Sequence, residues 1–299
     1  MATTTSVNES IANKTAEAFL AGFNTYQPLA PVLFRQHDPK RKDEIFSIHA
    51  FSASWNALGE GDVFPSNDIQ EVGTITMSQL RYAEKIPITQ MMKNFDSEGM
   101  LLDEATKLGY SARVQADQLH ANVLVNGFGT ELTWDGNSLF NDSHNVGSLT
   151  GVTQDNLVSG ALTDSTLNDA IVLLRRQVDH RNQSMPLVPR VLVVPPDLEK
   201  KARELVESGL DPESANNSIN TNRSRGIHVV VWELLTSTTA WFLLADKPMH
   251  GLVSLVSQPL ILETRDRLLT ESGNTEVRAE FHLTAGARDY LGAVGSTGA

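Results

Sequence analysis

Residues 97–126 read SEGMLLDEATKLGYSARVQADQLHANVLVN and carry the strongest helical pattern in the chain. Apolar side chains recur here at the spacing that places them on one face of an α-helix. The positions that form this stripe are Leu101, Ala105, Leu108, Ala112, Ala116, Leu119 and Val123. At roughly 1.5 Å per residue such a helix is about 45 Å long, more than twice the length of an average helix. The sequence therefore predicts an elongated domain built along one long helix.

The charged residues of this helix, among them Arg113 and Asp117, fall off the apolar stripe. Such positions form the polar face of an amphipathic helix. Gly127 ends the run, while Gly99 and Gly109 weaken the prediction slightly because glycine is a poor helix former.

Residues 51–90 precede the helix and read as extended structure. Thr74–Ser78 alternates polar and apolar residues, which is the period of a half-exposed strand, and residues 80–88 continue as a second extended piece. A long polar hairpin is not stable alone in water. We therefore expect this hairpin to lie on a partner surface, and nothing in the sequence places that surface in the same chain.

Residues 1–50 are predicted to form an arm with short helices. Residues 10–23 fit an amphipathic helix, which Pro28 and Pro31 end. Residues 38–44 form a mixed charge run that we interpret as a solvated turn, with an electrostatic contact to a neighbouring subunit as the alternative.

The chain beyond the long helix divides into four parts. Residues 127–151 are loop-rich, and residues 150–250 fit the order α-β-α-β-β of a compact α/β domain. Residues 258–264 and 275–284 return to strand, and the second alternates so regularly that its most natural partner is the long helix. Residues 292–299 are small and are expected to be weakly structured.

Composition excludes several classes of function. The chain has 299 residues and no cysteine, which rules out disulfides, thiolate catalysis and cysteine metal sites. Its formal net charge of −12 argues against wrapping nucleic acid, because phosphate binding needs clustered Lys and Arg. The most apolar stretch, residues 227–245, is interrupted by polar residues and predicts two strands rather than a membrane helix. Residues 1–10 lack the pattern of a signal peptide.

The sequence contains no phosphate-binding loop, dinucleotide fingerprint or hydrolase elbow. Asp142-Ser143-His144 is the one tempting cluster, but a catalytic triad is assembled by the fold from residues that point at one another. We interpret it as a polar turn in which Asp142 bonds nearby backbone amides and His144 fixes the loop. A soluble α/β hydrolase or transferase that uses Asp142, His144 and a distant nucleophile is kept as an alternative. The histidines are scattered and predict no metal site.

The order of these parts and several local motifs carry a resemblance to a known family. The motifs are WDGNSLFNDSH (134–144), NL (156–157), ALT (161–163) and PRVLVVPPDLEKKA (189–202). With them the chain resembles the Hong Kong 97-type major capsid proteins of tailed phages, and among these the Mu-like major head subunit family.

This resemblance implies an α+β capsid fold with an inserted axial domain. The implied parts are an N-terminal arm (1–50), an extended loop or β-hairpin with flanking strands (51–90), a peripheral domain (91–150) with its spine helix (97–126), an axial domain (151–250), and the peripheral return strands with the C-terminus (251–299). We expect other copies of the chain to complete the arm and the extended loop.

The function that the resemblance implies is mechanical, with no catalysis and no cofactor. Pentamers and hexamers of the chain would build an icosahedral shell that encloses phage double-stranded DNA without sequence-specific binding or membrane contact. Portal, a separate scaffolding protein and a decoration protein are the implied partners, and assembly would occur in the host cytoplasm. The candidate contacts between subunits are Trp55, Phe64, Arg81, Tyr82 and Lys85. An encapsulin-like compartment, which shares the fold but holds cargo enzymes, is the alternative.

Overall fold

The computed structural model describes residues 4–50, 57–64, 70–89, 99–147, 151–209, 219–265 and 274–299. The helices of these ranges are α1 (Thr4–Thr25), α2 (Ala30–Leu33), α3 (Met100–Val125), α4 (Asp164–Arg176) and α5 (Glu199–Glu207). The strands are β1 (Arg35–His37), β2 (Asp43–His49), β3 (Glu71–Ser78), β4 (Arg81–Ile88), β5 (His144–Asn145), β6 (Thr153–Gln154), β7 (Leu157–Val158), β8 (Pro189–Val194), β9 (His228–Val231), β10 (Trp241–Ala245), β11 (Leu252–Arg265), β12 (Thr275–Ala287) and β13 (Ala293–Ser296). None of the helices described here combines the length and the apolar character that a membrane crossing requires.

The predicted spine helix is confirmed as α3, which runs for 26 residues. Leu101, Ala105 and Val123 of the apolar stripe are buried, as the spacing predicts. The prediction for Asp117 was wrong, because this carboxylate is 1% exposed and lies in the interior. The backbone amides of Leu29 and Ala30, at the start of α2, donate hydrogen bonds to this carboxylate.

Helix α1 packs along α3, and two glycines make the contact possible. A Cβ atom at Gly109 would lie 1.9 Å from the backbone oxygen of Phe19, and one at Gly22 would lie 1.9 Å from that of Thr106. The two backbones therefore touch at these points, which only glycine permits. The expectation that the arm depends on another copy was wrong for residues 4–25, since α1 lies on the spine helix of its own chain.

Replacing Gly109 by alanine tests this helix contact, because the contact determines whether the change stabilises or destabilises the protein. In an exposed helix the change would stabilise by about 1 kcal/mol, because alanine is the better helix former. Here the added methyl group collides with α1, so we expect a loss of about 1–3 kcal/mol in the free energy of unfolding. Chemical denaturation of the variant measures it, with Gly129→Ala as the control because no atom lies within 4 Å of that Cβ position. A stabilised Gly109→Ala variant would contradict the packing.

A four-stranded sheet in the order β1-β11-β12-β4 lies against the spine helix. Val277 of β12 and Ile86 and Ile88 of β4 pack against Leu101 and Ala105 of α3. The predicted partnership between the alternating strand and the long helix is confirmed.

The predicted hairpin of residues 74–78 with residues 80–88 was wrong in its pairing. Strand β3 pairs with β2, from Asp43↔Ser78 to His49↔Glu71, and these two strands are called the ribbon below. Strand β4 instead joins β12 at the edge of the four-stranded sheet, because its alternate residues Ile86 and Ile88 are buried there.

The ribbon strands contact their own chain at two places, while most of their residues stay exposed or half-buried. Met77 packs on Val253 and Leu255 of β11, and a Cβ atom at Gly73 would lie 2.5 Å from the ring of Trp134. Part of the charge run is a turn, as predicted, because the Glu44 carboxylate accepts hydrogen bonds from nearby backbone amides at its start. Its last residues, however, begin β2.

The second sheet has five strands in the order β7-β13-β10-β8-β9 and lies between two cores. Leu243 of β10 faces α4 and α5, while its neighbour Phe242 faces the end of α3. The expectation that residues 292–299 are weakly structured was wrong, because β13 is buried and pairs with both β10 and β7. Small residues are needed there, since a Cβ atom at Gly295 would lie 2.7 Å from the ring of Phe140.

Candidate subunit-interaction surfaces

The loop that joins the two ribbon strands exposes two adjacent apolar side chains. Val63 is 88% exposed and Phe64, a predicted contact residue, is 86% exposed. The preceding turn is held by its own atoms, because the amide of Gly59 donates to the Asp62 carboxylate at 2.6 Å. Residues 57–64 are called the ribbon loop below. Because the two exposed apolar side chains are adjacent, the ribbon loop is a candidate contact surface.

Two of the predicted contact residues on β4 already pair across the sheet. The Arg81 guanidinium binds the Glu280 carboxylate, and Lys85 Nζ lies 3.0 Å from Glu276 Oε1. Hydrogen bonds to basic side chains, first Arg278 and then Lys85, hold the pKa of Glu276 below its usual range. Arg81 and Lys85 stay largely exposed, so a neighbouring molecule can still reach them.

Tyr82 also contacts β12, where its ring stacks on Phe281 with centroids 5.3 Å apart. The structure therefore brings Arg81, Tyr82 and Lys85 together on one edge strand, separate from Phe64 on the ribbon loop. Trp55 lies outside the described residues. The role of these residues between subunits stays a prediction.

The cluster at residues 142–144 is not assembled as a catalytic site. Asp142 and Ser143 are exposed, while His144 is fully buried and donates from Nδ1 to Asp135 Oδ2 at 2.9 Å. The predicted polar turn is present, but Asn141 rather than Asp142 accepts the backbone amide of Ser143. This arrangement argues against the alternative of a hydrolase, because the structure does not bring Asp142 and His144 together.

Asp135 organises this loop through buried hydrogen bonds. Burial alone would raise the pKa of Asp135, but hydrogen bonds from His144 and Thr133 outweigh it and lower the pKa to about 2. The imidazole of His144 also stacks on Tyr290, with ring centroids 4.0 Å apart. The loop after the spine helix is thereby tied to the segment that leads into β13.

A second buried contact joins the same regions. Asp289 accepts a hydrogen bond from Trp134 Nε1 at 3.2 Å, and its other oxygen lies 3.1 Å from His180 Nε2. Motif residues 134–144 are thus a structural junction between the two sheets. Among the described ranges, no group of three or more His, Asp or Glu side chains is arranged to hold a metal ion.

Asp117 is a central polar residue that the sequence reasoning missed. Its carboxylate accepts hydrogen bonds from Tyr26 Oη at 2.8 Å, Ala30 N at 2.8 Å and Trp232 Nε1 at 3.0 Å. Burial raises the pKa of Tyr26, and its hydrogen bond to Asp117 raises that pKa further. One side chain therefore joins the spine helix to the arm and to the second sheet. No local pattern distinguishes this aspartate from an exposed one.

Comparison with known proteins supports a shell subunit. Residues 72–296 match a family model described as phage capsid protein. No curated protein sequence matches the chain.

Solved structures share the fold at low sequence identity. The capsid of Cyanophage P-SCSP1u superposes with a TM-score of 0.58 and 13% identity, covering 90% of this chain and 88% of that chain. The capsid of Ralstonia phage GP4 gives 0.58 and 12%, covering 88% and 86%. The holo-SrpI encapsulin complex from Synechococcus elongatus PCC 7942 gives 0.53 and 12%, covering 91% and 88%. The predicted α+β fold of the Hong Kong 97 type is therefore confirmed.

Proposed function

The chain belongs to the phage capsid protein family, and on that premise we propose that it is the major capsid protein of a tailed phage or prophage. Its copies assemble through pentamers and hexamers into an icosahedral shell that encloses double-stranded DNA. The role is structural, and the chain catalyses no reaction.

The exposed pair Val63–Phe64 is the observation that carries this proposal. The ribbon is anchored on its own chain through Met77, while its loop presents two large apolar side chains to solvent. Fully burying one such side chain stabilises an assembly by about 1.5–3 kcal/mol. Because a shell repeats the same contact at every subunit, this modest gain recurs throughout the particle.

We also propose the finer affiliation with Mu-like head subunits, which residues 134–144 and 189–202 support by their resemblance. On this proposal the ribbon loop lies over a neighbouring subunit, while portal, a separate scaffolding protein and a decoration protein are the partners. Assembly takes place in the host cytoplasm, and the finished protein resides in the virion.

An encapsulin-like compartment is the second candidate, favoured by the fold shared with the Synechococcus elongatus complex. The family match favours the phage capsid, because it covers residues 72–296 of this chain. The contents of purified particles separate the two candidates: packaged DNA supports the capsid, and an enclosed enzyme supports the compartment.

Negative-stain electron microscopy of the purified full chain tests the proposal. We expect ring-shaped capsomers, tubes or closed shells. A uniform population of small particles, each the size of one 32.7 kDa chain, would contradict it.

A further inference from the structure

A cavity of about 400 Å³ opens between the two packed helices and the four-stranded sheet. Leu20 and Phe23 of α1, Ala116 of α3, Leu260 of β11 and Phe281 of β12 are among the residues that line it. Its size falls in the range of about 300–1,000 Å³ that is typical of pockets for drug-sized groups, and its walls are mainly apolar. An apolar side chain of a partner fits a cavity of this kind.

Arg113 supplies an uncompensated positive charge at the wall of this cavity. Its guanidinium lies over the ring of Phe23, 4.6 Å from the centroid, and its buried Nε has no hydrogen-bond partner. The carboxylate one turn away, Asp117, is already engaged by Tyr26 and Trp232. Among the described residues no ion pair involves Arg113, so the cavity is suited to an occupant that combines apolar and acidic groups.

The ribbon loop has this composition. Residues 57–64 read ALGEGDVF and contain Glu60 and Asp62 but no Lys or Arg. Two acidic residues therefore lie just before the exposed pair Val63–Phe64. The loop matches the cavity both in its apolar side chains and in the sign of its charge.

The ribbon and the cavity lie on opposite faces of the same sheet, so the occupant is expected from a second copy. Successive residues of a strand point to opposite faces. Val253 and Leu255 of β11 contact the ribbon through Met77. Ser254, between them, points the other way, where its hydroxyl lies 2.8 Å from His120 Nε2 of the spine helix and lines the cavity.

We propose that Val63 and Phe64 of one copy dock into this cavity of a second copy, with Glu60 and Asp62 facing its Arg113. This inference rests on the proposed function and specifies the surface that receives the ribbon loop. It gives the helix pair α1 and α3 a role as the receiving site for the neighbouring subunit.

Engineered cysteines test the contact cleanly, because the chain has none of its own. Val63→Cys keeps Phe64 in place, and Leu20→Cys sits on the partly exposed rim of the cavity. Each chain of the double variant carries a cysteine on the ribbon loop and another at the cavity, so it can be linked to two neighbours. Oxidation of assembled particles should therefore give a ladder of cross-linked chains larger than the dimer on a non-reducing gel. Each single variant should give dimers at most.

The matched control combines Val63→Cys with Ser143→Cys, an exposed position that does not line the cavity. No ladder is expected from it. A ladder from this control, or none from the Leu20 pair in a sample whose particles are visible by microscopy, would overturn the docking. Absence of particles from the wild type would instead contradict the proposed function, so the two failures are distinguishable.

A charge exchange provides a second test that uses no thiols. Arg113→Glu should reduce the yield of particles at least about tenfold, because like charges would face each other. Adding Glu60→Lys to the same chain should restore assembly, since this change keeps the Asp62 carboxylate that holds the turn. Thermal unfolding of the unassembled Arg113→Glu subunit verifies that it folds. A folded Arg113→Glu subunit that assembles normally, or that the exchange does not rescue, would overturn the proposal.

Discussion

Purified Phe64→Asp protein should remain as free subunits or small oligomers under conditions in which the wild type forms particles of megadalton mass. Phe64 is 86% exposed in the single chain, so its contribution is made only when another molecule covers it. Aspartate forfeits about 1.5–3 kcal/mol of apolar burial and adds the larger cost of placing a charge in an apolar site. The loss is repeated at every subunit contact, which makes its effect on assembly close to all-or-none.

Size-exclusion chromatography with light scattering measures this outcome. Phe64→Leu is the matched control, since it keeps an apolar side chain at the same position and should assemble. The free energy of unfolding of the isolated subunit should not change in either variant. Particle formation by Phe64→Asp at the wild-type level would show that the ribbon loop is not a contact.

The second large effect is expected in stability rather than assembly. Asp117→Ala removes the acceptor that Tyr26, Ala30 and Trp232 share, and it leaves the donors of Ala30 and Trp232 buried without a partner. Each unsatisfied buried donor costs about 1–3 kcal/mol, so a loss of about 3–5 kcal/mol in the free energy of unfolding is expected.

Urea denaturation of the unassembled subunit measures the effect of Asp117→Ala. Asp103→Ala on the same helix is the control, because Asp103 is exposed and forms a surface ion pair with Lys107. Its removal should change the free energy of unfolding by less than about 1 kcal/mol. If Asp117→Ala is as stable as this control, Asp117 does not join the arm, the spine helix and the second sheet.

Elements with strong local periodicity could be predicted from the sequence. The stripe that includes Leu101 and Ala105 predicts α3, and the alternation around Val277 predicts β12 together with its contact to α3. In both cases the pattern of side chains along a single element determines which face is buried.

The partners of several strands could not be predicted. Residues 80–88 were expected to pair with their neighbours in sequence, yet Arg81 meets Glu280, 199 positions away. Strand β13 escaped prediction because its small residues carry no apolar pattern, although Phe140 requires small residues beside it. These strand pairings depend on surfaces that form only after segments distant in sequence have packed together.

Of the candidate contact surfaces, too, one part could be predicted from the sequence and another could not. Phe64 was predicted as a contact from the sequence, and it is exposed beside Val63 in the structure; its role between subunits stays a prediction. The sequence could not predict the cavity beside α1 or the unpaired state of Arg113, because both arise from the packing of α1 on α3.

The most direct measurement is an electron cryo-microscopy reconstruction of assembled particles that resolves the ribbon loop. We predict that Val63 and Phe64 of each subunit lie against a neighbouring copy and are buried there. Particles in which this loop packs on its own subunit or stays in solvent would contradict the claim that copies of the chain complete one another.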